Sequence, residues 1–301
     1  MPLWKPSLLD NLQFWVRGDS LSNMTNGGDV TFWEDESGNN FHVDGAPSKF
    51  PDVVHNAQND LPAVEFDRGN ETECMSTTST TVTNYGDGDF HMCAVFKTAS
   101  TGDMSASAGN RQETIYAGNI DNSAFEVRIP KHASDRNVRF FGKDANTDNE
   151  EIANNLVIHA CDRSGTGSTD TSIFLNGKEE QTWQETFDYD DAHTLMIGAV
   201  GTAASPSNGL NGQICEIVFY KDTLTDDERV LLEGYLANKW DSTTLLEKDG
   251  GSSHTYKTKK PIDGLTLLGE DLSNTTMDRS LVGDMATDLN LVDSEHGGLF
   301  M

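Results

Sequence analysis

The sequence predicts an all-β protein, an antiparallel sandwich or barrel that carries one late helix. Three observations carry this expectation. About a dozen short runs rich in β-branched and aromatic residues recur, with turn signals every 8 to 15 residues. A capping box and an apolar stripe of helical period coincide at only one place before residue 241, in the stretch 225–240. No fixed-period repeat is visible, which argues against a propeller or a solenoid.

Residues 12–16 read as a strand ended by the Arg17-Gly18-Asp19 turn; an Arg-Gly-Asp triplet arises by chance too readily to indicate integrin binding. A second run, 30–33, precedes the turn Ser37-Gly-Asn-Asn40. After a polar loop, residues 62–67 form a strand stopped by Arg68-Gly69-Asn70, and the polar, β-prone run 76–83 suits a sheet edge. Residues 90–97 are apolar enough for a central strand, and 101–112, poor in large apolar side chains, read as a loop. Further strands are expected at 114–117, 124–129, 137–141, 155–162, 171–175, 179–183 and 193–200. Asn176-Gly177 supplies a strong two-residue hairpin turn between two of them.

Residues 212–220 are apolar on both faces and belong inside a sheet. Alternation puts Cys215, Ile217 and Phe219 on one face and Ile214, Glu216, Val218 and Tyr220 on the other. Thr225 and Glu228 then form the capping box, with Asp226 and Asp227 complementing the positive helix N-terminus. Leu231 and Tyr235 are spaced by four, as are Leu232, Leu236 and Trp240, so the last three are expected to dock on the sandwich as structural residues.

The chain has 301 residues, enough for one large β domain or two average ones, and 49 Asp and Glu against 21 Lys and Arg leave a net charge of -28. Such a balance argues against binding nucleic acid, which needs clustered cations, and reads first as a solvated, self-repelling surface. No apolar run reaches membrane-spanning length, and the N-terminus lacks a basic region followed by an apolar core, so neither membrane insertion nor a signal peptide is expected. Cys74, Cys93, Cys161 and Cys215 are widely spaced and three sit in strand-like runs, which fits buried reduced thiols and synthesis in a cytosol. Beyond Trp240 the aromatic content falls, and a stripe of Met277, Leu281, Met285 and Leu289 at intervals of four offers one short helix. The expected division is a sandwich over residues 1–241 and an extended arm over 242–301, which either docks on its own sandwich or lies along neighbours in an assembly.

Several stretches taken together resemble the concanavalin A-like lectin/glucanase superfamily in its laminin-G-like branch. They are Phe14-Trp15-Val16; Trp33, Asp35, Ser37, Gly38 and Asn39; Pro62, Val64, Phe66 and Asp67; Leu175-Asn176-Gly177; Gly212, Ile214, Glu216 and Ile217; and Leu224, Glu228, Tyr235-Leu236 and Lys239-Trp240. The resemblance covers roughly residues 8–241 and implies a jelly-roll sandwich of two curved antiparallel sheets. This superfold hosts lectins, glycanases, adhesion modules and inert structural domains.

The resemblance makes three acids on one strand the glucanase pattern, and Glu65, Asp67 and Glu71 imitate it. Glu71 is one residue too far, and Arg68-Gly69-Asn70 turns the chain between them. The pairs Glu126/Arg128 and Glu179/Glu180 offer nothing better. Asp144, Asn146 and Asp148 have the D-x-N-x-D spacing that wraps oxygens around calcium, with Asn149 in place of the loop glycine and Asn155 where a bidentate Glu would close the loop. Asp188, Asp190 and Asp191 form a second acidic cluster. His159 and Cys161 share a strand face without completing a zinc site, and the five tryptophans read as core or helix-docking residues.

The expected function is therefore non-enzymatic: a lectin-like structural or adhesion module on the surface of a virion, as a capsid decoration or fibre component, made in the host cytoplasm. It would be multimeric in the assembly and would hold other virion proteins through residues 242–301. The alternatives are a lectin module for surface glycans and a glycoside hydrolase of the glucanase branch.

Overall fold

The computed structural model describes residues 4–67, 72–98, 112–118, 125–130, 138–141, 145–146, 155–165, 170–184, 189, 193–247 and 253–257. These fall within one compact unit, Leu3–Pro261. Among them run eighteen strands and one α-helix. In chain order the strands are β1 (Leu12–Arg17), β2 (Phe32–Trp33), β3 (Val43–Gly45), β4 (Asp52–Gln58), β5 (Leu61–Phe66), β6 (Met75–Thr77), β7 (Phe90–Thr98), β8 (Gln112–Ala117) and β9 (Glu126–Pro130). They continue as β10 (Arg139–Phe141), β11 (Ala145–Asn146), β12 (Leu156–Arg163), β13 (Thr171–Leu175), β14 (Lys178–Trp183), β15 (Met196–Ile197), β16 (Val200–Thr202), β17 (Ser205–Ser207) and β18 (Gly212–Tyr220), and helix α1 spans Asp226–Lys239.

Two eight-stranded antiparallel sheets face each other. The first runs β14-β13-β12-β7-β18-β5-β4, with β1 also on β18; the second runs β11-β10-β9-β8-β15-β6-β3-β2, and β16-β17 form a separate hairpin. β18 is central, as its two apolar faces require: β7 pairs along one edge, while β5 takes residues 212–214 and β1 takes residues 216–220 on the other. Phe14, Phe96 and Phe219 of the first sheet meet Tyr116, Phe125 and Phe140 of the second in the inter-sheet core. Tyr116 and Phe219 lie edge to face at 4.9 Å, a favoured aromatic geometry.

A second core lies on the outer face of the first sheet, beneath α1. Cys93, Val95, Ile158 and Val218 of the sheet meet Leu232, Leu236 and Trp240 of the helix, and these three helix residues are 0% exposed. Thr225 caps the helix: its Oγ1 accepts the Glu228 amide and its own amide donates to Glu228 Oε2, satisfying two orphan donors of the first turn. After the helix, two 3-10 turns, Thr243–Leu245 and Thr255–Lys257, run back over it, and Leu246 and Tyr256 join the same core.

All four cysteines are buried and unbridged, as expected from their wide spacing and, for Cys93, Cys161 and Cys215, from their strand-like settings. Several expectations need correcting. A bulge between Ile214 and Glu216 breaks the alternation of β18, so Ile214 joins Ile217 and Phe219 in the inter-sheet core while Cys215 joins Val218 and Tyr220 under the helix. The polar stretch before Pro62 contains β3 and β4. Of residues 76–83 only the first two are strand, and Thr81–Thr83 form a 3-10 turn. Residues 258–301, including the Met277 to Leu289 stripe, lie outside the described residues.

Candidate functional site

Beside the C-terminal half of α1 a cleft of about 580 Å³ opens, lined by Trp4, Trp15, Arg17, Asp19, Glu36, Asn59, Tyr235, Asn238 and Lys239 among others. Its size lies within the range of about 300–1,000 Å³ typical of small-molecule sites. Four pieces of chain converge there, each for a local reason.

β1 supplies the floor. Phe14 and Val16 point into the inter-sheet core, so by the period of two Trp15 and Arg17 face outward. The Arg17 guanidinium lies 5.4 Å over the Trp15 ring. Gly18 then lets the chain turn tightly against β5: a Cβ there would stand 2.4 Å from the Pro62 carbonyl oxygen. That turn, Gly18–Leu21, brings Asp19 back to Arg17, with Nη1 to Oδ2 at 2.7 Å.

The second piece is the turn Trp33 to Asn39, the strongest early motif in the sequence. Asp35, 4% exposed, accepts the backbone amides of Trp15, Ser37 and Phe41 and the Ser37 hydroxyl. Asn39 Nδ2 donates to the Leu12 and Gln13 carbonyls, and the Glu36 amide donates to the Trp15 carbonyl. The motif thus supplies partners to the outer edge of β1, which would otherwise present unpaired backbone groups. It also delivers the Glu36 carboxylate to Arg17 Nε at 2.8 Å.

The third piece is the β4-β5 hairpin, whose turn residues Asn59 and Asp60 both have positive φ, 50° and 57°, as a tight type I′ turn requires. Asn59 Nδ2 donates to the Lys239 carbonyl at 2.7 Å, satisfying a carbonyl at the helix C-terminus. The fourth piece is α1 with the N-terminal segment. Tyr235 stands edge-on to Trp4 at 5.6 Å, and the Tyr220 hydroxyl donates to the Pro6 carbonyl, tying that segment down.

A chain of alternating charges crosses the cleft floor. Glu36 pairs with Arg17, Arg17 with Asp19, Asp19 with Lys239 at 2.7 Å, and Lys239 with Glu216 at 2.8 Å. Side-chain exposure falls along it from 30% at Arg17 to 0% at Glu216. Glu216 also accepts from the indoles of Trp15 (2.7 Å) and Trp240 (2.8 Å) and from the Tyr235 hydroxyl (3.4 Å). Burial works against the Arg17 charge, but the Glu36 hydrogen bond and the Asp19 and Glu36 charges outweigh it and raise its pKa. Burial, followed by the Glu216 and Asp19 charges, pushes the Tyr235 phenol well above its ordinary value.

The sequence-predicted site residues lie elsewhere. Leu232, Leu236 and Trp240 are in the core beneath α1. Asn146 is in β11, opposite Arg139; its proposed calcium partners Asp144 and Asp148 lie outside the described residues, as do Asp188, Asp190, Asp191 and Glu71. Glu65 Oε1 accepts from Gln213 Nε2 at 3.0 Å across the β5-β18 pair. Among the described residues no group of three His, Cys, Asp or Glu side chains is placed to hold a metal ion, and no helix is long and apolar enough to cross a membrane.

No family model and no curated protein matches the chain. Solved structures do. The binding domain of Paraclostridial Mosquitocidal Protein 1 superposes with a TM-score of 0.56 at 15% identity, over 76% of this chain and 53% of that one. The botulinum neurotoxin serotype D binding domain gives 0.51 at 11%, over 74% and 50%. A second structure, of the receptor binding domain of botulinum neurotoxin D, gives 0.51 at 12%, over 74% and 52%. The chain therefore spans about half the length of these structures. At such identities the likeness establishes the fold alone: this chain has the two-sheet antiparallel sandwich that these binding domains share.

Proposed function

We propose that this chain is a non-enzymatic, lectin-type binding module whose ligand, a surface glycan, occupies the cleft beside α1. The observation that carries the reading is the lining of that cleft: aromatic rings together with planar polar groups already fixed by one another, the arrangement that orients a hydroxyl-rich ligand without reorganisation. The shared fold with binding domains supports it.

The hydrolase alternative finds less support. Asp19 and Glu36 are both ion-paired to Arg17, whereas glycoside hydrolysis needs one carboxyl as a proton donor. A glycan array probed with the purified chain is expected to give saccharide hits that Tyr235→Ala weakens by about tenfold or more. An array without hits, or hits indifferent to Tyr235→Ala, removes the reading.

Display on a virion surface in many copies, as a capsid decoration or fibre component, belongs to the proposal as its second half. It rests on the arm of residues 242–301, whose low apolar content suits docking better than a core of its own. Residues 243–257, where described, return to α1, so the docking half of the proposal concerns residues 258–301. A calcium ion in the loop of Asp144, Asn146 and Asp148 is carried by its spacing alone.

A further inference from the structure

Resting on the reading of the cleft as a saccharide site, we infer that Asp19 and Glu36 are specificity residues that restrict it to uncharged saccharides and reject carboxylated ones. The cleft holds three cations, Lys5, Arg17 and Lys239, and two of them would be the natural partners of a sugar carboxylate. Both are occupied. Arg17 gives Nη1 to Asp19 and lies with Nε 2.8 Å from Glu36 Oε1 in an ion pair. The Lys239 ammonium, with only three donors to give, lies within 2.7 Å of Asp19 Oδ1, 2.8 Å of Glu216 Oε2 and 3.3 Å of the Tyr235 hydroxyl.

Against Arg17 and Lys239 stand the lining carboxylates Asp19 and Glu36, with Glu216 buried beneath Lys239, while Lys5 is exposed to solvent, which screens its charge. An acidic sugar would meet like charge at close range and would have to separate an existing ion pair to be held. A neutral sugar meets neither obstacle. Its hydroxyls donate to carboxylate oxygens that keep spare lone pairs and accept from side-chain amide N–H groups. Trp4 and Trp15 are each only 4% exposed, so they wall the cleft and do not offer an open stacking plate. Discrimination of this kind comes from what the site places against the wrong ligand as much as from what it offers the right one.

The test pairs probes that differ in charge and little else: the methyl ester of 3′-sialyllactose with free 3′-sialyllactose, and methyl-esterified with free tetragalacturonate, embedded in a wider array of neutral and acidic oligosaccharides. The wild-type chain is expected to bind neutral members at least about tenfold more tightly than their acidic counterparts. Glu36→Gln and Asp19→Asn are each expected to narrow that ratio by about threefold or more, because each removes a like charge from the cleft and leaves Arg17 one carboxylate fewer. Glu36 sits on a surface turn, so its variant folds even if the Asp19 variant does not. Acidic members binding as well as neutral ones, or a ratio unmoved by Glu36→Gln, overturns the inference while leaving a saccharide site in place. Binding of no saccharide by the wild type overturns the saccharide reading and the inference with it.

Discussion

Glu216 is the residue on which the cleft floor and the helix both depend. Taking a carboxylate out of water costs several kcal/mol, and only close, well-oriented donors offset it; here two indoles, an ammonium and a phenol supply them. Glu216→Gln keeps the shape but turns one oxygen into a donor that faces donors. It is expected to lose about 3–5 kcal/mol, read as a lowered unfolding midpoint in calorimetry or urea; a loss below about 1 kcal/mol would show that the network contributes little. Strand alternation placed Glu216 on the correct face, and the capped helix was equally readable. The convergence of Trp15 and Trp240 on one carboxylate was not, since the partners lie 201 and 24 residues away, and no local pattern encodes a meeting at that distance. The bulge beside Cys215 was invisible for a related reason: it depends on how β7 and β18 register against each other, not on the residues of β18 alone.

At the scale of elements, the helix and the segment that returns over it form one interlocked unit. Gly234 sits under Tyr256, and a Cβ there would lie 2.4 Å from the ring. Replacing a helical glycine by alanine ordinarily stabilises by about 1 kcal/mol. For Gly234→Ala the sign is expected to reverse, with a lower melting temperature and faster proteolytic cleavage around Tyr256. An unchanged or raised midpoint would mean that the segment yields without cost. His254 Nε2 at 3.2 Å from buried Glu233, which also receives Arg229, fastens the same segment from its other side. Long strands with strong composition, β1, β5, β7, β12, β13 and β18, were legible because apolar alternation sustained over five or more residues rarely arises outside a sheet. The short strands β2, β10 and β15 fall inside the expected runs 30–33, 137–141 and 193–200, whereas β3, β11 and β17, of two or three residues, are too short to carry a period. β4 was hidden because only Val53 of its seven residues is fully buried, so it reads as polar loop. The motif around Asp35 was visible as a turn, but its service to the cleft through Glu36 appears only once β1 lies beside it.

For the whole molecule, a buried group and a half-buried one give stability opposite slopes with pH. His159 lies in the first sheet with no hydrogen-bond partner for either ring nitrogen, and burial, then the neighbouring His91, lowers its pKa to about 3. Its folded value is below the unfolded one of 6.5, so the unfolded chain takes up the proton first as pH falls. Stability is complete above about pH 6.5 and is lost between there and pH 3, by about 3 kcal/mol at pH 4. His159→Leu is expected to flatten this part of the curve in urea titrations at pH 7 and pH 4, and an unaltered slope would assign the acid sensitivity elsewhere. Glu73 works in the other sense: burial, with the charges of Asp52, Asp67 and Glu65, raises it to about 7, so its penalty is absent below pH 4.5 and grows as pH rises through 7.

The pairing of β1 with β18 also has a consequence in time. Arg17 meets Glu216 and Leu12 meets Tyr220, so β1 waits for a strand made about 200 residues later. At about 5–20 residues per second that interval is roughly 10–40 s. Through it, Phe14 and Val16 have no sheet to enter, and neither α1 nor its carboxylate anchor exists to cover Trp15. The domain therefore closes only as its last strand leaves the ribosome, and until then its first strand is cargo for whatever chaperone guards nascent chains.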